Sequence, residues 1–303
     1  MNKAFYRQAD LLITLLPYIA MENDFALHGG TAINFFIRNM PRLSVDIDLT
    51  YLPVAPRETT LRAISEGLER IATLIKTRHP LLQIEHKAEM TGQITKLFIK
   101  DKNALVKIEP NIIIRGYLFG TEERGICKQA EELFKKHVTV KTLSFSDLYG
   151  SKICAALDRQ HPRDFFDIMQ LLNNEGIDEY LKKSFIVYLL SHSRPIAELL
   201  SPNMLDFKDV YENEFKGMTD INVSYDELIA VRKLLIENIH NKLTEQDRLF
   251  LVSFKNAAPD WDLLGSEGIE NMPAVKWKLQ NINKMDRKKH IEAVDKLKRI
   301  LDI

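Results

Sequence analysis

Residues 42–51 read Arg-Leu-Ser-Val-Asp-Ile-Asp-Leu-Thr-Tyr, so polar and apolar side chains alternate from Leu43 to Tyr51. This period of two predicts a strand with an apolar face toward a core and a polar face on the other side. Asp46 and Asp48 both belong to the polar face, so their carboxylates point the same way and can bind the same divalent ions. The stretch therefore predicts a carboxylate pair on a strand that is anchored in a core.

A pair of glycines lies upstream, at Gly29 and Gly30, and Thr31 follows at the start of a predicted short helix. Glycine backbone that leads into a helix N-terminus can present N–H groups to phosphates. Arg42 and Ser44 lie beside the aspartates in sequence and are candidates for contacts with the same phosphates. An isolated Asp-x-Asp is commonly only a solvent-exposed strand edge, but the adjoining Gly-Gly-Thr and Arg-x-Ser motifs favour a nucleotide site.

The pattern of a mixed α/β unit continues on both sides of this strand. Helical spacing of apolar residues predicts helices over 3–22, with a kink or break at Pro17, and over 57–78. Further strands are predicted at 81–86, 93–100, 104–114 and 137–143.

The second half of the chain has a helical pattern. Ser146 is the expected cap of its first helix, Pro162 is expected in the first turn of the second, and no alternating strand follows. We therefore predict an α+β fold, in which a mixed-sheet domain of residues 1–145 precedes a helical domain of residues 146–303.

The composition limits the partners that the chain can have. Its 303 residues include 42 Lys and Arg and 42 Asp and Glu, so the net formal charge is zero and any polyanion site must be a local patch. The two cysteines lack metal-ligand spacing, which argues against zinc and fits a reducing compartment. No apolar run is long enough to span a membrane, and the N-terminal segment is typical of an amphipathic helix rather than a signal peptide. We expect a cytoplasmic protein with no membrane partner.

The glycine and aspartate motifs together resemble the first motif of the nucleotidyltransferase superfamily, in the form found in AbiEii/AbiGii-type toxins. These toxins are the enzymes of bacterial abortive-infection and toxin–antitoxin pairs. The resemblance extends over residues 25–170 and combines several spaced motifs. It implies a third acid on a later strand, for which Glu109 is the candidate, on the face opposite Val106 and Ile108.

The next motif of the family is a lysine on a helix, followed by an Arg-Asp pair that opens the next helix. Lys152, Arg163 and Asp164 match this motif. Lys152 stands among small and apolar residues, where a lysine is a poor fit unless it binds a charge such as a triphosphate. Asp164 has an alternative role, because an acid in a first turn stabilises the helix N-terminus. Asp158 and Asp167 are secondary candidates.

The resemblance implies metal-dependent transfer of a nucleoside monophosphate from an NTP to an acceptor hydroxyl, with a tRNA 3′ end as acceptor and an antitoxin protein as partner. The catalytic residues would be Asp46, Asp48, Lys152 and Asp164. Two Mg²⁺ ions, for which Mn²⁺ could substitute, would be bound by Asp46, Asp48 and Glu109. The nucleotide-binding residues would be Gly29, Gly30, Thr31, Arg42, Ser44, Lys152 and Arg163.

Other functions stay open at this point. The acceptor could be a small molecule, as in the antibiotic nucleotidyltransferases, or a protein hydroxyl. A non-catalytic nucleotide-binding module that acts through a partner protein is a further alternative. Three convergent acids argue against such a module, because binding alone does not need them.

Overall fold

The structure, a computed structural model, describes residues 2–88 and 92–303. The chain forms two compact units. One consists of Met1–Leu148 with Glu212–Asn222, and the other of Tyr149–Tyr211 with Val223–Ile303. Sequence analysis places a boundary near residue 145 and has no signal for the return of the later segment to the first unit.

The first unit combines one mixed sheet with helices. Its elements are α1 (Lys3–Ala20), β1 (Phe25–His28), α2 (Gly29–Ala32), which continues as a π-helix over Ile33–Ile37, β2 (Asp46–Tyr51), α3 (Arg57–Arg78), β3 (Gln83–Ala88), β4 (Ile94–Lys100), β5 (Leu105–Asn111), β6 (Thr121–Gly125), α4 (Lys128–Phe134), β7 (Thr139–Leu143) and the start of α5 (Phe145–Arg159).

Within the described residues the strand order of the sheet is β3-β4-β5-β2-β1-β7-β6. Strand β2 lies near the middle, antiparallel to β1 and parallel to β5. Its register places Asp48 opposite His28 on β1 and opposite Glu109 on β5. The predicted aspartate strand is therefore a central strand, and its neighbours are β1, which Gly29 directly follows, and the strand of the predicted third acid.

The alternation predicted for β2 is confirmed. Ile47 and Leu49 are buried on the core face, while Asp46 and Asp48 are only partly exposed on the other face. The strand begins later than the predicted Leu43. The backbone N–H of Leu43 donates instead to the carbonyl of Met218, at 2.8 Å, so this part of the chain pairs with the returning segment and not with the sheet.

Three elements of the first unit are absent from the sequence-based prediction, namely β1, β6 and α4. Strand β1 has four residues, which is too short for a reliable period. A fourth difference concerns α1, for which a kink or break is predicted at Pro17, because the helix does not break there and continues to Ala20. Leu15, Leu16 and Ile19 are buried around this proline, and their packing stabilises the last turn despite the lost hydrogen bond.

The second unit is helical throughout the residues that the structure describes. Its helices are the rest of α5, α6 (Pro162–Asn174), α7 (Glu179–Ser191), α8 (Ile196–Leu200), α9 (Lys208–Val210), α10 (Tyr225–Lys242), α11 (Glu245–Lys255), α12 (Trp261–Leu264), α13 (Pro273–Asn283) and α14 (Arg287–Leu301). No helix among the described residues has the length and apolar character needed to cross a membrane.

Helix α5 is capped differently from the prediction. The hydroxyl of Ser144, not that of Ser146, accepts the backbone N–H of Asp147 at 3.2 Å, which is the usual contact of a capping serine with the third helical residue. The prediction for α6 is confirmed, since Pro162 is its first residue and its missing N–H needs no partner there.

Candidate functional site

The carboxylate of Asp48 lies directly against the backbone of Gly29. A Cβ atom added to Gly29 would lie 2.5 Å from Oδ2 of Asp48. Gly29 also has a φ of +68°, in the left-handed region that favours glycine. This position therefore requires glycine for two reasons, which are the left-handed backbone conformation and the close approach of the Asp48 carboxylate.

The rest of the glycine motif contacts the sequence around the aspartates. The hydroxyl of Thr31 donates to the carbonyl of Asp46 at 2.6 Å. The same Thr31 hydroxyl lies 2.8 Å from the hydroxyl of Ser44. A Cβ atom on Gly30 would lie 2.8 Å from Nη2 of Arg42. The structure thus brings together Gly29, Gly30, Thr31, Arg42 and Ser44 with the aspartate strand, as the sequence motifs predict.

Glu109 is engaged by two lysines that sequence reasoning missed. Lys107 lies 2.7 Å from Oε2 of Glu109, and Lys96 on β4 forms an ion pair with Oε1. Burial raises the pKa of Glu109, but hydrogen bonds from Lys107 and Lys96 outweigh it and hold the pKa below its usual value. The signal for Lys107 was present in the sequence, because it stands two residues before Glu109 and so shares its face.

The charges of the aspartate pair also affect the pKa of Lys107. Burial lowers its pKa, but the hydrogen bond to Glu109 and the negative charges of Asp46, Glu109 and Asp48 raise it above the usual value overall. The acidic cluster of β2 and β5 therefore includes its own cations, and these partly neutralise its charge.

Asp46 and Asp48 are suited to a divalent ion by ligand type and position. They supply hard oxygen ligands from one strand face, and Mg²⁺ commonly combines one or two carboxylates with phosphate oxygens. Both oxygens of Glu109 are in ion pairs with lysines, and among residues 2–88 and 92–303 no group of three or more His, Cys, Asp or Glu side chains could hold a metal ion. Ligation by Glu109 stays a prediction that requires the carboxylate to exchange its lysine partners.

Lys152 and Asp164 lie together in the second unit. The ammonium group of Lys152 is 2.9 Å from Asp164 and 3.1 Å from Asp167, and all three side chains are buried. Arg159 adds two hydrogen bonds to Asp164, at 2.5 and 2.9 Å. Burial raises the pKa of Asp164, but the charges of Lys152 and Arg159 outweigh it and hold this pKa far below the usual range.

This ion cluster connects α5 to α6, because Lys152 lies on α5 and both aspartates lie on α6. The structure brings Lys152 together with the predicted Asp164 and with the secondary candidate Asp167. Asp158 has different partners, since it pairs with Arg194 and lies 3.5 Å from His192.

Arg163 is half-buried at the start of α6. Its backbone N–H donates to Nδ1 of His161 at 3.1 Å, so the histidine caps the helix. The guanidinium group of Arg163 lies 3.3 Å from Nε2 of the same histidine ring. The predicted Arg-Asp pair thus forms the first turn of α6, with the aspartate directed to Lys152.

Comparisons with known proteins identify the family and the fold of this chain. The sequence matches the family described as "Nucleotidyl transferase AbiEii toxin, Type IV TA system" over residues 10–281. No curated protein matches the sequence significantly. Among solved structures, the nucleotidyltransferase toxin MenT4 from Mycobacterium tuberculosis has a TM-score of 0.61 at 11% identity, over 98% of this chain and 95% of that one.

Terminal uridylyl transferase 4 from Trypanosoma brucei has a TM-score of 0.31 at 13% identity, over 100% of this chain and 94% of that one, too low to support an argument. The likeness to MenT4 shows a shared fold and confirms the predicted α+β class. Because the family match covers most of the chain, including the glycine motif, the aspartate strand and the lysine-aspartate cluster, this protein belongs to the AbiEii family of nucleotidyltransferase toxins.

Proposed function

We propose that this toxin transfers a nucleoside monophosphate from an NTP to an acceptor hydroxyl in a reaction that depends on Mg²⁺. The observation that carries the proposal is the pair Asp46 and Asp48 on β2, with Asp48 packed against the backbone of Gly29. A buried central strand holds both carboxylates rigidly on one face, and Gly29 leaves the room there that the Asp48 carboxylate occupies.

Each residue of this cluster has a task in the proposed reaction. Asp46 and Asp48 bind the divalent ions, and the backbone of Gly29 and Gly30, with Thr31, Ser44 and Arg42, orients the triphosphate. The bound ions would lower the pKa of the attacking hydroxyl and offset the charge that develops on the leaving pyrophosphate. Glu109 would join the ligands, in which case Lys107 and Lys96 become available to the phosphates.

We propose the 3′ end of tRNA as the acceptor. The support is family membership and the resemblance of the motifs, while a small molecule or a protein hydroxyl is the competing acceptor. The experiment incubates the purified protein with each labelled NTP and Mg²⁺, with total tRNA, with total protein or with an aminoglycoside mixture. Label in the tRNA band alone supports the proposal, and label in either of the other two acceptors alone contradicts it.

Asp48→Ala tests the metal assignment in the same assay. We expect transfer to fall about 100-fold or more, because the loss of an ion ligand removes several kcal/mol of transition-state stabilisation. Glu85→Ala is the matched control, since Glu85 is an exposed carboxylate on β3. Normal transfer by a folded Asp48→Ala protein would show that Asp48 does not bind the ions. An equal loss in Glu85→Ala would also contradict the assignment, because the loss would then not be specific to Asp48.

We further propose that Lys152, Arg163 and Asp164 serve the reaction, with Lys152 as a point charge for phosphate. Lys152→Arg keeps the charge and should retain part of the activity, whereas Lys152→Ala should lose most of it. Because Lys152 neutralises two buried aspartates, kcat and KM for the NTP must be compared with a melting curve. If the folded fraction of Lys152→Ala has normal kinetics, the lysine only stabilises the helix pair.

A further inference from the structure

Arg115 is a buried cation whose charge is not neutralised within the described part of the chain. Arg115 is 6% exposed, and its Nε and Nη1 atoms have no hydrogen-bond partner among the residues that the structure describes. Burial lowers the pKa of Arg115, and the positive charge of Arg57 lowers it further, with no carboxylate acting in the opposite direction. A guanidinium group stays protonated under such conditions, so the unpaired N–H groups represent a substantial desolvation penalty.

The backbone around Arg115 is held against the segment that leads into α3. The side chain of Asn111 accepts the N–H groups of Ile113 and Ile114, both at 2.9 Å, and so shapes the chain directly after β5. The N–H of Gly116 donates to the carbonyl of Tyr51 at 3.0 Å. A Cβ atom on Gly116 would lie 3.0 Å from Cγ2 of Val54. Arg115 is therefore fixed beside the residues that follow β2.

The N-terminus of α3 follows this same segment. The helix has 22 residues, and Pro56 at its cap position provides no side-chain hydrogen bond. The first N–H that finds a partner in the helix is that of Thr60, which donates to the carbonyl of Pro56 at 2.9 Å. The preceding N–H groups and the positive end of the helix dipole therefore add to the charges of Arg57 and Arg115. Glu58, the acid of this first turn, is exposed.

We propose that Arg115, Arg57 and the N-terminus of α3 form a phosphate-binding site distinct from the aspartate pair. Tyr51, which anchors it, lies three residues after Asp48 on β2, or about 10 Å along the strand. A phosphate would supply acceptors for the unpaired guanidinium N–H groups and neutralise two like charges. The assignment of this phosphate to a substrate rests on the proposed function. Its two sources are the triphosphate of the NTP and a phosphodiester of the RNA acceptor.

The binding test uses inorganic pyrophosphate in the presence of EDTA, measured by titration calorimetry on the full chain. Arg115→Met and Arg57→Ala should each weaken the affinity about tenfold or more, because each removes a charge-assisted contact. Arg62→Ala is the matched control, since Arg62 is an exposed cation farther along α3.

A second readout separates binding from stability. Without ligand, Arg115→Met should melt no lower than the wild type, because it removes an unpaired buried charge. The proposal is overturned if wild-type protein shows no saturable binding, if both variants keep the wild-type affinity, or if Arg62→Ala weakens binding as much as Arg57→Ala. If Arg115→Met does not fold, the pyrophosphate affinity of Arg57→Ala tests the proposal by itself, because Arg57 is an exposed side chain.

The source of the phosphate is decided in the transfer assay with Arg57→Ala. A higher KM for the NTP assigns the site to the triphosphate, and a higher KM for the RNA assigns it to the acceptor backbone. Unchanged KM values for both overturn the assignment to a substrate. Because the pyrophosphate titration needs neither metal nor transfer, a failure of the proposed reaction would not be mistaken for a failure of this site.

Discussion

At the scale of single residues, Gly29 connects the fold to the chemistry. It has a left-handed backbone, and the Asp48 carboxylate occupies the space where a side chain would be. Gly29→Ala should therefore lose transfer activity, because the new methyl group displaces Asp48. It should also lose about 1 kcal/mol of stability through the strained φ. Steady-state kinetics and urea unfolding measure the two effects.

Gly176→Ala separates those two effects. Gly176 has a φ of +71°, almost the same as Gly29, but no atom lies within 4 Å of its added Cβ. It should show the stability loss and keep full activity. An equal loss of activity in both variants would mean that backbone strain, and not the contact with Asp48, is what matters at Gly29.

A second residue-scale prediction concerns the buried ion pair of Asp164. Removing one partner of a buried pair costs about 3–5 kcal/mol, so Asp164→Asn should be strongly destabilised at neutral pH. The pKa of Asp164 is depressed in the folded protein, so its stabilisation is complete above the ordinary aspartate pKa and is lost as the pH falls below it. The difference in unfolding free energy between wild type and Asp164→Asn should therefore shrink below about pH 4.

Urea unfolding at a series of pH values from neutral to strongly acidic tests this prediction. Glu237→Gln is the control, because Glu237 is exposed on α10 and should change little at any pH. If the difference between wild type and Asp164→Asn is independent of pH, the carboxylate charge is not what holds α5 to α6.

At the scale of elements, the contact between α5 and α7 depends on a glycine. A Cβ atom on Gly150 would lie 2.5 Å from Oγ of Ser184 and 2.9 Å from the backbone N of Phe185. Gly150→Ala should destabilise the protein by about 1–3 kcal/mol, because backbone cannot yield as a side chain can. Gly67 in α3 is the comparison, since the atoms nearest to its added Cβ belong to the Phe25 ring and the Arg70 side chain.

Gly67→Ala should lose less stability than Gly150→Ala, because the Phe25 ring can shift, whereas the gain of about 1 kcal/mol from alanine in a helix is common to both. Chemical unfolding followed by circular dichroism compares the two. A smaller loss for Gly150→Ala than for Gly67→Ala would show that α7 can move away from α5 without penalty.

At the scale of the whole molecule, family membership makes toxicity the central property. Expression of the wild-type chain alone should arrest bacterial growth, and Asp46→Ala should not, because it removes one of the two ion-binding carboxylates. Growth curves after induction, with protein levels checked by immunoblot, provide the measurement. Arrest by equal amounts of Asp46→Ala protein would show that toxicity does not need the proposed chemistry. Coexpression of a cognate antitoxin should restore growth.

The aspartate strand, the long helix α3 and the helical second half follow from local periodicity. Each is long enough for a face of apolar residues to recur several times, and in β2 and α3 this face is buried in the structure. Shorter elements such as β1 and β6 could not be predicted in this way. Four or five residues carry too few repeats to distinguish a strand from a loop, and pairing with neighbouring strands decides their conformation.

The sequence by itself determined the identity of the acids, the glycine pair and their common strand, because residue type and spacing at short range set these features. Only the tertiary structure decided their partners. Asp48 contacts Gly29, Lys96 and Lys107 form ion pairs with Glu109, Lys152 pairs with two aspartates, and Arg115 is buried with no counter-ion among residues 2–88 and 92–303. Most of these contacts depend on strand register, on helix packing or on a loop fixed far along the chain, and no local pattern encodes those long-range arrangements.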